Sequence, residues 1–238
     1  MTANIPGARA GCTNNLIPAD GVLNIPDYTR SCSCSYQLQT SLALAYMPDA
    51  EMWTFSEFSA PEAGTVQRAG VNFGAPGARL DREQHVLWTE YPPLVDPNPR
   101  VDVEIEKTED ARWFRNHVSW IHAGDAAHPW VVASGIEGIR QIDVALGASD
   151  EQEERSYDVV LYFAEPEPLT EGDRIFNVLI QGSMMLTEYD VVEHAGGNRR
   201  GLRAVFPNVP VKDNLRIAFE WAEDALPAII SGIEIHAR

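Results

Sequence analysis

Alternation of apolar and polar residues with a period of two recurs along this chain and constrains its fold more than any other feature. In "VDVEIE", Val101, Val103 and Ile105 face one way and Asp102, Glu104 and Glu106 the other, as in a strand with one face buried. "YDVVLYF" puts Tyr157, Val159, Leu161 and Phe163 on one face, and "IFNVLIQG" does the same with Phe176, Val178 and Ile180. "LRIAFEW" sets Leu215, Ile217, Phe219 and Trp221 behind Arg216, Ala218 and Glu220, and in "IISGIEIHA" Ile233 and Ile235 alternate with Glu234 and His236. Turn signals separate these segments: "PEPLTEGD", "EHAGGNRRG", "VKDN" and "EDALP". "AGGNRRG" follows an alternating strand with no helix behind it, and so reads as no phosphate loop. One short helix is expected near "EDARWFRNHVSWI", where Trp113, Phe114, Val118 and Ile121 are roughly helically spaced. Short strands with Gly and Pro connections close as an all-β sandwich or jelly roll, which protects most strand edges.

Residues 1–62 read differently from residues 63–238, and "SAPEAGTVQRAG" is the expected boundary. "NNLIPADGVLNIPDY" holds a short strand, a turn at Asp20-Gly21, a second strand and a proline stop. One hairpin cannot bury its own face, so this arm needs a neighbour to pack against, in the sandwich or in another domain. All 3 cysteines, Cys12, Cys32 and Cys34, lie in the arm. The single spacer of Cys32 and Cys34 strains a mutual disulfide, which leaves a bridge from Cys12 to one of them, or three reduced thiols, as the readings. The odd count fits a chain cut from a larger protein.

A formal net charge of −17, from 18 basic against 35 acidic residues, opposes binding to nucleic acid or anionic lipid, where Lys and Arg must displace counterions. Neutral ligands, cations or proteins are the natural partners. No run approaches the roughly 20 apolar residues of a membrane span. "MTANIPGARAGCTNN" lacks the basic start and apolar core of a secretory signal.

"VNFGAP" at 71–76, "YDVVLYFAEPEPLTEGDRIFNVLIQG", "YDVVEHAGG", "LRIAFEW" and "PAIISGIEI" together resemble the malectin and malectin-like carbohydrate-binding domains over residues 68–238. The shared pattern is an opening Asn-x-Gly strand, a strand ending in Phe-Ala-Glu, a Gly-Asp-Arg-x-Phe-x-Val strand, an Asp-Val segment ending in Ala-Gly, and a last Ile-x-Ile strand. The resemblance implies a galactose-binding-like jelly roll that takes glucose-containing oligosaccharides through loop aromatics and a few polar groups at one edge. It also implies that an acidic residue near the last strand serves the sugar, which nominates Asp224. Where animal malectin has aromatic residues after Phe-Ala-Glu, this chain has Pro166, Glu167 and Pro168. The arm resembles the segment after the last blade of bacterial pyrroloquinoline-quinone-type β-propeller proteins. That implies a periplasmic or extracellular location as the C-terminal part of a longer chain, with a β-propeller domain of the parent as partner. No quinone binding is assigned to it.

Sugars stack their C–H faces on aromatic rings while carboxylates and amides take the hydroxyls. Trp88 and Tyr91 in "LWTEYPP", Trp120 in "SWIHAGD" and Trp130 in "HPWVV" occupy stretches that read as irregular, and nominate one end of the sandwich as the binding edge. As single residues they also read as plugs closing that end. Glu165 reads as an acceptor for loop amides, with contact to the sugar as the alternative. Glu167, Glu171 and Asp173 read as a solvated turn, with sugar contact or a structural calcium ion as the sharper alternative. His117, His122 and His128, with Asp125 among them, match no compact zinc spacing, and no cofactor is expected. No nucleophile elbow or phosphate loop is present. The expectation is a noncatalytic carbohydrate-binding module, with a scaffold module or a glycoside hydrolase as alternatives.

Overall fold

The computed structural model describes residues 16–19, 22–26, 42–45, 66–81, 83–94, 101–124, 128–146 and 154–238. Cys12, Cys32, Cys34, Asp20, Gly21 and Asp125 lie outside the described residues. The chain divides into two units, Met1–Ala50 and Glu51–Arg238.

In the first unit, β1 (Ile17–Ala19), β2 (Val22–Ile25) and β3 (Leu42–Ala45) form an antiparallel meander. Ala19 pairs with Val22, so β1 and β2 make the expected hairpin. The strand after it, β3, had no alternation strong enough to mark it.

The second unit is a sandwich of two sheets. Its strands are β4 (Arg68–Phe73), β5 (Arg79–Asp81), β6 (Val86–Tyr91), β7 (Asp102–Arg115), β8 (Ser134–Ala145), β9 (Arg155–Ala164), β10 (Ile175–Ile180), β11 (Ser183–Asp190), β12 (Gly201–Val211), β13 (Asn214–Glu220), β14 (Ile229–Ile230) and β15 (Gly232–Ala237). One sheet runs β11-β10-β13-β8-β14, with β7 on the other side of β8; the second runs β12-β9-β15-β4-β6-β5. Pairing is antiparallel except between β4 and β6. At Ser231 the chain passes from the first sheet to the second: β14 pairs β8, while β15 lies between β9 and β4.

The inward faces are those the alternation marks. Val159, Leu161 and Phe163 of β9 and Ile233 and Ile235 of β15 meet Phe176, Val178 and Ile180 of β10 and Leu215, Ile217 and Phe219 of β13 in one buried core. Phe163 and Phe176, from opposite sheets, have ring centroids 6.1 Å apart.

Three local expectations are corrected. "EDARWFR" is not helical but the end of β7, paired to β8 from Arg112↔Glu137 to Arg115↔Ser134. Strand pairing along β8 overrides the helical spacing of Trp113 and Phe114, and only Val118–Trp120 forms a single 3-10 turn. Trp88 and Tyr91 are in strand β6 rather than an irregular stretch, because β4 and β5 pair with it on both sides. "AGGNRRG" follows a helix, α2 (Val191–Ala195), preceded in the chain by α1 (Pro129–Val132). The Asp190 carboxylate accepts from the Val192 and Glu193 amides at the start of α2, and Gly196 ends it at φ 69°, a left-handed conformation that glycine adopts without strain.

Candidate functional site

Strand β9 carries buried side chains on both faces, which its sequence alone does not announce. Its inward residues join the core, while Val160, Tyr162 and Ala164 meet Trp88, Ile121, Trp130, Val131 and Val132 on the outer face of the sheet. Trp88 has no exposed surface, and its ring stands edge-on to Trp130 and to Tyr162, each at 5.4 Å. Trp130 is 7% exposed and lies under the Arg79 guanidinium at 4.7 Å. These two rings close the outer face of the sheet and offer no open stacking surface to a ligand. His128, at the start of α1, is buried beside Asp81, with Nε2 3.3 Å from the carboxylate. Burial pushes its imidazole below the ordinary histidine range, against the pull of Glu234 and Asp81. Burial pushes Glu234 up, but hydrogen bonds from His236 and Tyr162, together with nearby His236 and His128, outweigh it and leave its carboxyl below the usual range.

At the end of β9, Glu165 is fully buried. Its carboxylate accepts from the Glu167 amide at 3.0 Å and from Nε of Arg174 at 2.7 Å. Arg174, itself buried, donates to the carbonyl of Pro227 and lies 3.5 Å from Glu137. Glu137 in turn takes the exposed Arg112 guanidinium at 3.0 Å. A chain of alternating charge therefore runs from the interior to the surface and ties together β7, β8, the loop after β9 and the approach to β14. Burial raises Glu165 above the ordinary carboxylate range, with Arg174 acting against it. Glu167 and Asp224 are exposed, and so are Glu171 and Asp173. Asp173 accepts from the Thr170 amide and hydroxyl, both at 2.7 Å, which closes the acidic stretch into a turn.

Among the described residues, two sets of aromatic rings are at least partly open, at Tyr91–Trp113 and at Trp120. Tyr91 and Trp113 lie 6.1 Å apart and tilted by 43°, with Trp113 39% exposed and Tyr91 half-buried. Phe73 backs Tyr91 edge-on at 5.8 Å. The Tyr91 hydroxyl is raised by burial and by the Asp102 and Glu104 carboxylates. Trp120 is 55% exposed and carries the Arg199 guanidinium at 4.4 Å. The Arg199 amide donates to the Glu165 carbonyl at 2.8 Å, so this ring hangs beside the end of β9. Of the sequence-nominated residues, then, Trp120 and Glu165 are brought near one another, Trp88 and Trp130 form the outer core, and Tyr91 joins a ring not nominated for sugar, Trp113. The helical reading hid Trp113; a period-two count across β7 would have found it. Arg174 stands in the quoted Gly-Asp-Arg motif, but nothing local marks Glu137 as its partner.

The Malectin domain family model matches residues 150–231. That span contains the buried Glu165–Arg174 pair, α2 and the Trp120-supporting Arg199, but not Tyr91 or Trp113. Among solved structures, the chain is similar to Bacteroides uniformis beta-glucuronidase, with a TM-score of 0.53 and 13% identity over 72% of this chain and 18% of that one. A calcium binding mutant of Bacteroides uniformis beta-glucuronidase 2 gives 0.54 and 13%, covering 91% and 22%. The plant receptor-like kinase FER gives 0.48 and 16%, covering 72% and 42%. The chain thus spans about a fifth of the two glucuronidase chains, and at 13% identity the likeness is one of fold. No curated protein matches the sequence.

Among the described residues, no group of three His, Cys, Asp or Glu side chains is placed to hold a metal ion. No described helix is long and apolar enough to cross a membrane.

Proposed function

We propose that the sandwich is a noncatalytic carbohydrate-binding module for neutral, glucose-containing oligosaccharides. The observation that carries the reading is the Tyr91–Trp113 pair, an exposed indole tilted against a half-buried phenol ring. A tilted ring pair receives the C–H face of a pyranose. The malectin match supports the class of ligand. Trp120 offers a further exposed ring, and exposed Glu167 and Asp224 are candidate polar groups for a glycan. Glu165, saturated by Arg174 and the Glu167 amide, holds the loop rather than the sugar. With no exposed surface, it cannot reach a glycosidic oxygen as an acid for hydrolysis.

The test is calorimetry of the purified chain against neutral gluco-oligosaccharides, with tryptophan fluorescence alongside. Saturable binding is expected, and Trp113→Ala weakens it by about tenfold or more, the scale of a lost ring contact. No heat and no spectral shift at millimolar sugar refutes the reading.

The arm, on this reading, ends a propeller in a longer exported, periplasmic or extracellular chain. A second reading, a protein-docking module, is favoured by one observation: Ile175, Met184 and Met185 are exposed along the edge pair β10–β11. Met184→Asp would then abolish partner binding, while Trp113→Ala leaves it intact.

A further inference from the structure

Helix α1 is a single turn seated on the outer face of the second sheet. Gly201 and Gly232 leave the dips that it fills: a Cβ at Gly201 would lie 2.6 Å from Val132, and one at Gly232 would lie 2.5 Å from Val131. Trp130, the other buried residue of the turn, stands edge-on to Trp88, and its carbonyl accepts from Asn72 Nδ2 at 3.4 Å. Side-chain packing in the outer cluster, distinct from the inner core, holds the turn down. A short segment attached in this way opens at a lower free energy than the strands beneath it, whose amides are bound into ladders.

His128 precedes this turn, is 6% exposed, and is enclosed by Trp130, Trp88 and Tyr162, with ring centroids at 5.0, 5.5 and 6.1 Å. The charged and titratable groups around it are Asp81 and Arg79 of β5, Tyr162 of β9, Glu234 of β15 and Arg203 of β12. Both acids are held by other partners. Asp81 Oδ1 accepts from the Glu83 and Gln84 amides at 2.9 and 3.3 Å, and Glu234 binds the Tyr162 hydroxyl and His236. The two arginines oppose a positive charge on the ring. A proton on His128 therefore places a cation among aromatic rings with little water, and the loss of hydration outweighs the pull of Glu234 and Asp81. The same imidazole turned out to water carries no such cost and titrates near its ordinary value of about 6.5.

We propose that His128 is an acid-triggered latch, whose protonation lifts α1 from the outer face and uncovers Trp88 and Tyr162 while the sandwich stays folded. The inference goes beyond the carbohydrate-binding reading and does not depend on it.

The experiment is native-state hydrogen exchange of the full chain at pH 7 and pH 5, corrected for the intrinsic chemical rate and repeated at several low urea concentrations. Exchange is read over residues 128–134, with β13 as the reference for the core. Residues 128–134 are expected to be less protected than β13 at both pH values, with a shallower urea dependence, the mark of local rather than global opening. Their opening increases several-fold from pH 7 to pH 5, with a ceiling of about 30-fold if the proton binds the open form alone, at about 6.5. His128→Phe, which keeps an aromatic ring without a titrating group, removes the pH dependence. His128→Gln, smaller and uncharged, removes it as well and serves where the phenyl ring fails to fit. An increase under about threefold overturns the proposal, because a latch needs the open and closed forms to differ in their affinity for the proton. A pH dependence that survives both substitutions overturns it in favour of another group. Protection and urea dependence matching those of β13 overturn it too, since α1 would then leave only when the whole sandwich unfolds.

Discussion

Replacing Arg174 with methionine tests whether the buried ion chain holds the loop edge together. In the native protein the guanidinium lies 2.7 Å from Glu165 and 3.5 Å from Glu137, and it donates to the Pro227 carbonyl. The side chains of Arg174 and Glu165 are 2% and 0% exposed, so the Glu165 carboxylate cannot turn to water once the arginine is gone. Removing one partner of a buried pair costs about 3–5 kcal/mol, most of it the penalty of leaving a charge unpaired. The cost depends on pH in a direction fixed by Glu165. Burial already raises its folded-state carboxyl above the usual range, and without the arginine only the Glu167 amide opposes that rise. A folded state with a raised carboxyl binds more protons than the unfolded chain between the unfolded value, near 4.3, and the folded one. Stability of Arg174→Met therefore increases as pH falls from neutrality through the raised value, and the deficit against the parent narrows. Urea denaturation followed by tryptophan fluorescence at neutral and mildly acidic pH measures both quantities. A deficit under about 1 kcal/mol, or one that stays constant over that range, refutes the account, since only an uncompensated buried charge predicts the cost and the pH dependence together. Glu165→Gln, which keeps an acceptor but removes the charge, is expected to cost less than Arg174→Met.

His128 gives the opposite slope. Its folded-state value is depressed by burial, so below the unfolded value of about 6.5 the unfolded chain binds the extra proton and stability falls; His128→Phe flattens the urea midpoint between pH 7 and 5 if this group is responsible. Gly70→Ala drives a Cβ to 2.3 Å from the Trp88 ring and is expected to cost about 1–3 kcal/mol with a shifted tryptophan spectrum; an unchanged melting curve and spectrum would show that the outer cluster yields without strain.

How much of this was legible beforehand differs between the two layers of the molecule. Val159, Leu161 and Phe163, or Leu215, Ile217 and Phe219, announce an inward face because a strand's side-chain direction repeats every second residue, a property of the backbone alone. The core and the all-β class follow from that. The same parity, applied to Tyr162 and Trp88, gives an outward face, which reads as exposed. Both residues have no exposed surface, because α1 and Ile121, distant in sequence from each strand, cover them. The reverse happened in β7, where local spacing suggested a helix and the long pairing to β8 imposed a strand, turning Trp113 outward beside Tyr91.

The candidate site shows the same division. Sequence determined that Glu165 ends a strand and enters an acidic turn, since Pro166, Glu167, Pro168 and Gly172 permit little else. Only the tertiary structure decided that its carboxylate faces inward to Arg174, and that Arg174 also reaches Glu137 and Pro227. Those partners lie 9, 37 and 53 residues from Arg174 in the chain. A charge pattern written along a chain fixes which groups need partners, while the distances that choose among them exist only after both sheets have packed.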